Sequence, residues 1–446
     1  MSRRASYLAS LLLLTLAVHP ILAQERSPER LQGINVDVAA MLQAQQQTPA
    51  ASAKRSITIS DAVSIFLQQN LQLVAARYDI DLADAEKLTA RLRPNPQVSV
   101  GFAGLPVNLT GQFVKEQTFS YGISQTVELG GKRRKRIGAA NANSELAQGQ
   151  FQMVVWQLTN DLKKKFYAVL LAEALLKLAR ENQKTFAETI KHTTELYQAG
   201  EISGLDLRRL EVEKLKFDTA VANSERDYEL ALRDLRVTLG GDYRAMDIEV
   251  AGTVDYYQPY EFSFAELRDK ALAARPDLKA AQLSERAADA SIRLQDAQRI
   301  PDLTLGGGID QVPLGTSTYN FGVGITLPVS NRNQGERAKA LIEKKKAQNQ
   351  QQLVTNQVLS DVDKALVAFE IQKRRVELYR TGVLTKVNEI QNLTEFSLKA
   401  GESSTLELLD AIRTRRETLA GFYQTLFDYQ VSLLDLELAT ATPLHK

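Results

Sequence analysis

The 446 residues carry 55 Lys and Arg against 53 Asp and Glu, and a net charge of +2 gives no reason to expect a nucleic-acid partner. Cysteine is absent and histidine occurs only as His19, His192 and His445. Disulfides, thiolate chemistry and a lipid-bearing N-terminal cysteine are therefore excluded, and little is left for a metal site or a histidine-based catalytic centre.

Arg3 and Arg4 followed by the apolar run Leu8–Val18 and then Ile21-Leu22-Ala23 predict a secretory signal peptide over residues 1–23. The run is too short to span a bilayer and no later stretch of 18 apolar residues exists, so an exported chain without a transmembrane helix is expected. Residues 24–57, polar and containing Gln45–Gln47, read as an extended arm.

Residues 58–240 read as a first repeat. A helix with Ser60 as N-cap runs from Asp61 to about Arg93, where Pro94 and Pro96 end it. The period then changes to two. Val98, Val100 and Phe102 alternate with Ser99, Gly101 and Ala103 in a strand over about 97–108. Phe119, Tyr121, Ile123, Gln125, Val127 and Leu129 alternate with small and polar residues in a second strand over about 119–129. A long helix follows over Arg133–Gln198, then a tip at about 199–204 and a return helix over Leu205–Leu239. At the tip, Gly200 supplies the left-handed stop and Ser203 the next cap. Residues 241–262, with Gly241 and the Tyr-rich Asp255–Tyr260, read as an equatorial linker.

A second repeat, 263–440, restates the first. Its helix Ala265–Arg299 kinks or restarts at Pro276, and its strands fall at about 302–310 and 319–329. The long helix Gln334–Lys399, a tip at about 400–405 and a return helix Leu406–Ala439 follow, with a tail at 441–446. Ile59–Val100 aligns with Phe264–Leu305 at an offset of about 205, placing Asn70 on Arg275; the second strands align at about 200 and the tips at about 201. Each long helix is ~100 Å at 1.5 Å per residue. The apolar steps Phe151, Val154, Val155, Leu158, Leu162, Phe166, Val169 and Leu170 mark a coiled-coil seam, as do Leu353, Val358, Val362, Leu366 and Phe369. Two half-length helices stacked end to end match one long one. The fold expected is mainly α with a small membrane β part.

Strands of about 9–11 residues with apolar and polar faces are the signature of a transmembrane β-barrel. A half-buried soluble hairpin has the same period, and the signal peptide decides between them. Four strands cannot close a barrel, and an open edge cannot persist in lipid. Several chains must share one barrel, and three chains give twelve strands.

Gly306-Gly307-Gly308 and Gly322-Val323-Gly324 lack the helix that follows a nucleotide loop, so they read as strand glycines. The run Lys132–Arg136 reads as a solvated helix start, and Lys163–Lys165 and Lys344–Lys346 as outer helix faces. Glu407 and Asp410 share one helix face after the second tip, and Asp206 and Glu211 follow the first. Repeated around a ring of subunits, such carboxylates form a cation-selective constriction; the alternative is acids that favour a helix start. A carboxylate pair also serves glycosidases, but no substrate cleft accompanies it. No enzyme and no cofactor are expected.

The duplicated tips, Arg-Pro-Asn-Pro-Gln-Val-Ser-Val at 93–100 and the signal together resemble the outer-membrane efflux channel family of Gram-negative bacteria, the TolC-like proteins. The resemblance covers about residues 57–440. Within it, Gln125–Arg133 is similar to the CzcC-like branch that serves heavy-metal efflux pumps. The resemblance implies a homotrimer whose twelve-stranded outer-membrane barrel continues into a periplasmic α-helical tunnel. It also implies partners: a periplasmic adaptor at the tips and an inner-membrane RND-type transporter. It assigns an entrance gate to Glu407 and Asp410, with Asp206 on the first hairpin. Adaptor docking falls to Ala199, Gly200, Glu201 and Ser203 and to Ala400, Gly401, Glu402 and Ser404. The chain departs from TolC-like members in carrying Ala-Gly-Glu at the tips, and Ser403 where some members latch the entrance with arginine. Divalent heavy-metal cations are the expected cargo. Ducts for organic compounds or type I secretion, and a soluble periplasmic coiled-coil scaffold, are the alternatives.

Overall fold

Caps and breaks, more than propensity, divide this chain into rods. A computed structural model describes residues 55–104, 117–200, 202–241, 247–312, 315–400 and 402–444. The expected signal peptide and nearly all of the arm lie outside them. The arm's last residues form a short strand, β1 (Arg55–Ile57).

Helix α1 (Ile59–Gln69) begins at Thr58, not Ser60. The Asp61 N–H donates to Thr58 Oγ1 at 3.2 Å and the Thr58 N–H donates to the Asp61 carboxylate at 3.0 Å, a reciprocal cap. Ser60 instead shares a 2.8 Å hydrogen bond with the Thr58 hydroxyl. The expected single helix to Arg93 is two helices. Asn70 leaves the helical region (ψ 121°) and recaps α2 (Leu71–Arg91), its Oδ1 accepting from Gln72 and Leu73 N–H at 2.9 and 3.0 Å. In the second half, α5 (Phe264–Ala274) gives way to α6 (Pro276–Gln298) at Arg275, with Pro276 opening the new helix.

Both breaks are stapled to a return helix. Asn70 Nδ2 donates to the Thr238 carbonyl at 2.7 Å, near the end of α4 (Gly204–Leu239). Arg275 Nη1 donates to the Ala439 carbonyl at 3.3 Å, near the end of α9 (Thr405–Thr440). Arg275 is buried, and grips Asp277 (2.6 Å) and Asp361 (3.0 Å) beneath the Trp156 ring, 5.1 Å away. Where α4 meets α1, Gly240 has φ +90° and a Cβ there would lie 2.3 Å from the Gln69 carbonyl oxygen. Only glycine fits this joint.

The rods they join to are α3 (Lys132–Gln198) in the first half and, in the second, α7 (Gln334–Leu378), a π turn (Tyr379–Val383) and α8 (Leu384–Lys399). Leu162, Phe166 and Val169 of α3 and Val358, Val362 and Phe369 of α7 are buried in one core with Phe66, Leu235, Leu239 and Tyr429. Leu353 is exposed and its neighbour Val354 packs against the core instead, so the apolar seam of α7 begins one residue from where its spacing suggests. The linker contributes β4 (Ile248–Val250), which the spacing did not reveal. It pairs parallel with β1, Ile248 and Val250 turned into the core and Glu249 out.

Four strands, β2 (Gln97–Ala103), β3 (Thr118–Val127), β5 (Leu303–Gln311) and β6 (Thr318–Ile325), form an antiparallel sheet in the order β2-β3-β5-β6. Residues 105–108, expected in the first strand, lie outside the described residues. Strand β3 stops before Glu128, which turns to grip Arg136, and β6 stops before Pro328, which has no N–H for a ladder. In register, Val98 opposes Ile123, Tyr121 opposes Ile309, and Leu305 opposes Val323, so one face is a continuous apolar row. The other face is small: Gly122 opposes Gly308, and Gly306 opposes Gly322.

The charge runs are solvated only in part: Arg134, Lys345 and Lys346 are exposed, as expected, while their neighbours are engaged. Lys132 is buried against Asp302 at 2.8 Å. Arg133 donates to the Arg91 carbonyl at 2.8 Å, and Arg136 to that of Leu92 at 2.9 Å and to Glu128. The run thus satisfies the open carbonyls at the end of α2, which a C-terminus leaves unpaired. Lys163 and Lys164 pair with Glu437 and Asp435 of α9, and Lys165 donates to Thr238 at 2.8 Å. Opposite charges on the return helices draw these lysines inward. Lys344 likewise pairs with Asp289 of α6.

Candidate functional site: the helical tips

Each rod ends by the same local chemistry. After α3, the Ala199 N–H donates to the Glu195 carbonyl at 3.0 Å and Gly200 adopts φ +79°. Ser203 then caps α4, accepting from the Asp206 N–H at 3.2 Å while its hydroxyl donates to the Asp206 carboxylate at 2.8 Å. After α8, the Ala400 N–H donates to Phe396 at 3.0 Å and the Glu402 N–H to Ser397 at 2.9 Å. Ser404 caps α9: the Glu407 N–H donates to its hydroxyl at 3.3 Å, and its own N–H donates to the Glu407 carboxylate at 2.9 Å. Ala199, Gly200, Ser203, Ala400, Glu402 and Ser404 are exposed; Glu201 and Gly401 lie outside the described residues.

The acids are engaged unequally. The Ser404 N–H holds the Glu407 carboxyl below the usual carboxylate range, so this acid is part of a helix start. Asp206 is shared between Ser203 and Arg209 (3.3 Å), and Glu211 pairs with Arg208 at 3.0 Å. Asp410 is exposed one turn beyond Glu407 and has no ion pair or side-chain hydrogen bond among the described residues. The geometry therefore separates the acids: Asp410 presents a free carboxylate, while Glu407 and Asp206 are first of all caps.

Two residues that spacing did not single out join the hairpins. Glu213 of α4 and Arg413 of α9 pair at 3.1 Å, and Glu213 also holds Lys216 at 2.8 Å. Burial raises the Glu213 pKa, but the two cations together hold it below its ordinary value. The signal was present in the pattern. Leu210, Glu213, Phe217 and Val221 form one buried stripe of α4, with an acid where an apolar residue belongs. Beside it, Phe186, Leu210 and Phe217 pack with Leu408 and Ile412 from the other hairpin.

Among the described residues, no cluster of three or more His, Cys, Asp or Glu is placed to hold a metal ion, and no helix is long and apolar enough to cross a membrane. The family model described as outer membrane efflux protein matches residues 62–241 and 267–442. The chain is 26% identical to the cobalt-zinc-cadmium resistance protein CzcC of Cupriavidus metallidurans, over 80% of this chain and 84% of that protein. It is 25% identical to nodulation protein T of Rhizobium leguminosarum bv. trifolii, over 79% of each. A solved structure of CusC superposes with a TM-score of 0.72 at 18% identity, covering 89% of this chain and 95% of that one. With both matches to the family model spanning most of its length, the chain belongs to the outer membrane efflux protein family.

Proposed function

We propose that the protein is the outer-membrane duct of a tripartite export system. Three chains share a twelve-stranded barrel and a helical tunnel made of duplicated hairpins. The observation that carries this reading is the sheet. One of its faces is a continuous apolar row, with Phe321 at 88% and Val98 at 76% exposure, and its edges β2 and β6 have no partner among the described residues. In lipid an unpaired edge costs several kcal/mol per group, so β2 of one chain pairs with β6 of the next.

The duct carries out no chemistry of its own. A periplasmic adaptor docks on the exposed tips around Ala199–Ser203 and Ala400–Ser404, and an RND-type inner-membrane transporter supplies the driving force. Carboxylates of Asp410, backed by Glu407 and Asp206, line the periplasmic entrance and favour cations. Divalent heavy-metal ions are the cargo; the similarity to CzcC and the segment Gln125–Arg133 support this. With no Cys and 3 His, the duct has few soft donors, so selection lies upstream.

Fractionation tests the reading. A heat-modifiable species of three chains, found in the outer membrane and extracted by mild detergent, is expected; a soluble monomer would overturn it. Loss of the gene should sensitise cells to cobalt, zinc or cadmium, whereas sensitivity confined to organic compounds would exclude the metal cargo.

A further inference from the structure

The seam where the two halves of the chain meet supplies a template for the seam between chains. Helix α3 of the first half lies along α9 of the second. Asn160 Nδ2 donates to the Leu434 carbonyl at 2.6 Å, Lys164 pairs with Asp435, and Lys163 pairs with Glu437 at 3.3 Å. Nearer the sheet, Ala280 and Leu283 of α6 lie against Gly149 of α3. Toward the tip, Tyr167 and Leu171 continue this face of α3 half-buried, and Leu178 is buried.

The duplication carries these positions onto open faces. An offset of 200 places α3 on α7, pairing the core residues Leu162 with Val362 and Val169 with Phe369. An offset of 201 places α4 on α9, pairing Leu232 with Leu433 and Leu235 with Leu436. Tyr167, Leu171 and Leu178 then become Val367, Ile371 and Leu378, each more than half exposed. Leu353, Ser360 and Val367 recur at intervals of seven, as do Lys364, Ile371 and Leu378, which is the spacing of a coiled-coil seam. On the return helices, Val431 and Leu438 become Leu230 and Val237, at least half exposed. On α2, an offset of 205 turns Leu283 and Ala287 into the exposed Tyr78 and Leu82.

The charges follow the same rule. Lys164 and Asp435 become Lys364 and Asp234, both exposed and without an ion pair among the described residues. Lys163 and Glu437 become Asp363 and Arg236, so the signs are exchanged and the attraction is kept. Asp363 is exposed, also without an ion pair among the described residues. Arg236 reaches Asp247 at 3.6 Å, but its buried Nε has no acceptor among the described residues. Within one chain these groups cannot meet. The lower rods lie side by side in the order α4-α3-α9-α7, which puts α4 and α7 at opposite ends of the row.

We infer that the seam between chains repeats the seam between halves. Helix α7 of one protomer lies along α4 of the next, where Lys364 pairs with Asp234 and Asp363 with Arg236. The contact is heterologous, and three of them close a ring. Complementary charges fix its register. The α2 stripe and the β2 edge lie on the same flank as α4, so helices and sheet are closed by one contact. This inference rests on the duct reading above.

The chain has 0 cysteines, so introduced thiol pairs report cleanly. The full-length protein carrying Lys364→Cys with Asp234→Cys is extracted from outer membranes in mild detergent, treated with a short bifunctional thiol reagent and then denatured. Covalent species of two and three chains should appear, at least tenfold above either single variant. Lys164→Cys with Asp435→Cys, the matching place within one chain, should link yet keep the mass of one chain. Charge reversal reads the same contact without a linker. At the temperature where half of the unaltered trimer dissociates, Lys364→Asp should lower the surviving share at least twofold, and adding Asp234→Lys should restore it. A trimer with no link between chains at 364 and 234, or a reversal that Asp234→Lys does not rescue, overturns the inference. A monomer from the unaltered chain overturns the duct reading itself, which separates the two failures.

Discussion

The two hairpins are built on one plan but differ in continuity. The first descends as an unbroken helix of 67 residues, and the second is interrupted by a π turn of 5. Cross-ties such as Arg180–Glu225 at 2.8 Å and Gln183–Asp218 at 2.7 Å brace the first at the level where the second has glycine on both rods. The lesson is that a single inserted residue can break the regularity of one copy of a duplicated rod while the other stays continuous. The upper joints differ in the same spirit. Asn70 solves its joint with a neutral amide, and Arg275 solves the matching one with a buried charge network.

The largest expected effect breaks the comparison of the joints. Arg275→Ala strands Asp277 and Asp361 in a partly buried site and should destabilise by about 3–5 kcal/mol. Asn70→Ala removes a cap and a hydrogen bond and should cost about 1–2 kcal/mol. Denaturant unfolding of the detergent-solubilised protein measures both, and equal losses would contradict the assigned roles. Next, Glu181→Gly should give the first hairpin the softness of the second, at about 1 kcal/mol, while Gly382→Ala should stabilise the second by a few tenths to about 1 kcal/mol and slow its opening. Hydrogen exchange along α3 and α8 reads both; unchanged protection in α8 of Gly382→Ala would show that the π turn is no softer than regular helix.

The entrance acids sharpen the contrast further. Glu407→Gln with Asp410→Asn should lower cation preference in single-channel recordings, and unchanged selectivity would remove the gate assignment. Asp410→Asn alone should carry most of that loss, because Glu407 is committed to its cap. The smallest effect is one of pH. A folded pKa below the unfolded value gives stability that is present above the unfolded pKa and lost as pH falls through the folded one. Acidification below the ordinary carboxylate range should therefore fray the start of α9, seen as lower amide-exchange protection factors at Ser404–Leu408 relative to the intrinsic rate at the same pH.

Much of this architecture was legible because its causes are local. A change from helical period to period two marks Val98–Phe102 and Phe119–Val127 as strands, and Gly200 and Ser203 announce a stop and a restart. The π turn was half legible. Offsets of 200 at the strands and 201 at the tips imply an extra residue between them, but not how the helix takes it up. The break at Asn70 was hidden, since no proline marks it as Pro276 marks its counterpart. The fates of the charge runs were hidden as well. Lys132–Arg136 and Lys163–Lys165 are ordinary surface patterns until Asp302, the carbonyls of α2, and Glu437 and Asp435 are brought beside them.

Periodicity, caps and the restated tips, all set by interactions within a few residues, determine from sequence alone that this chain is a set of long rods, two strand pairs and two tip turns. The rest was decided by tertiary structure. That β3 lies beside β5, that Lys132 is buried and that Glu213 reaches Arg413 depend on partners about 170 to 200 residues away. Glu213 shows the reason: within α4 it is a flaw in an apolar stripe, and only Arg413 from the other hairpin makes it an ion pair between hairpins.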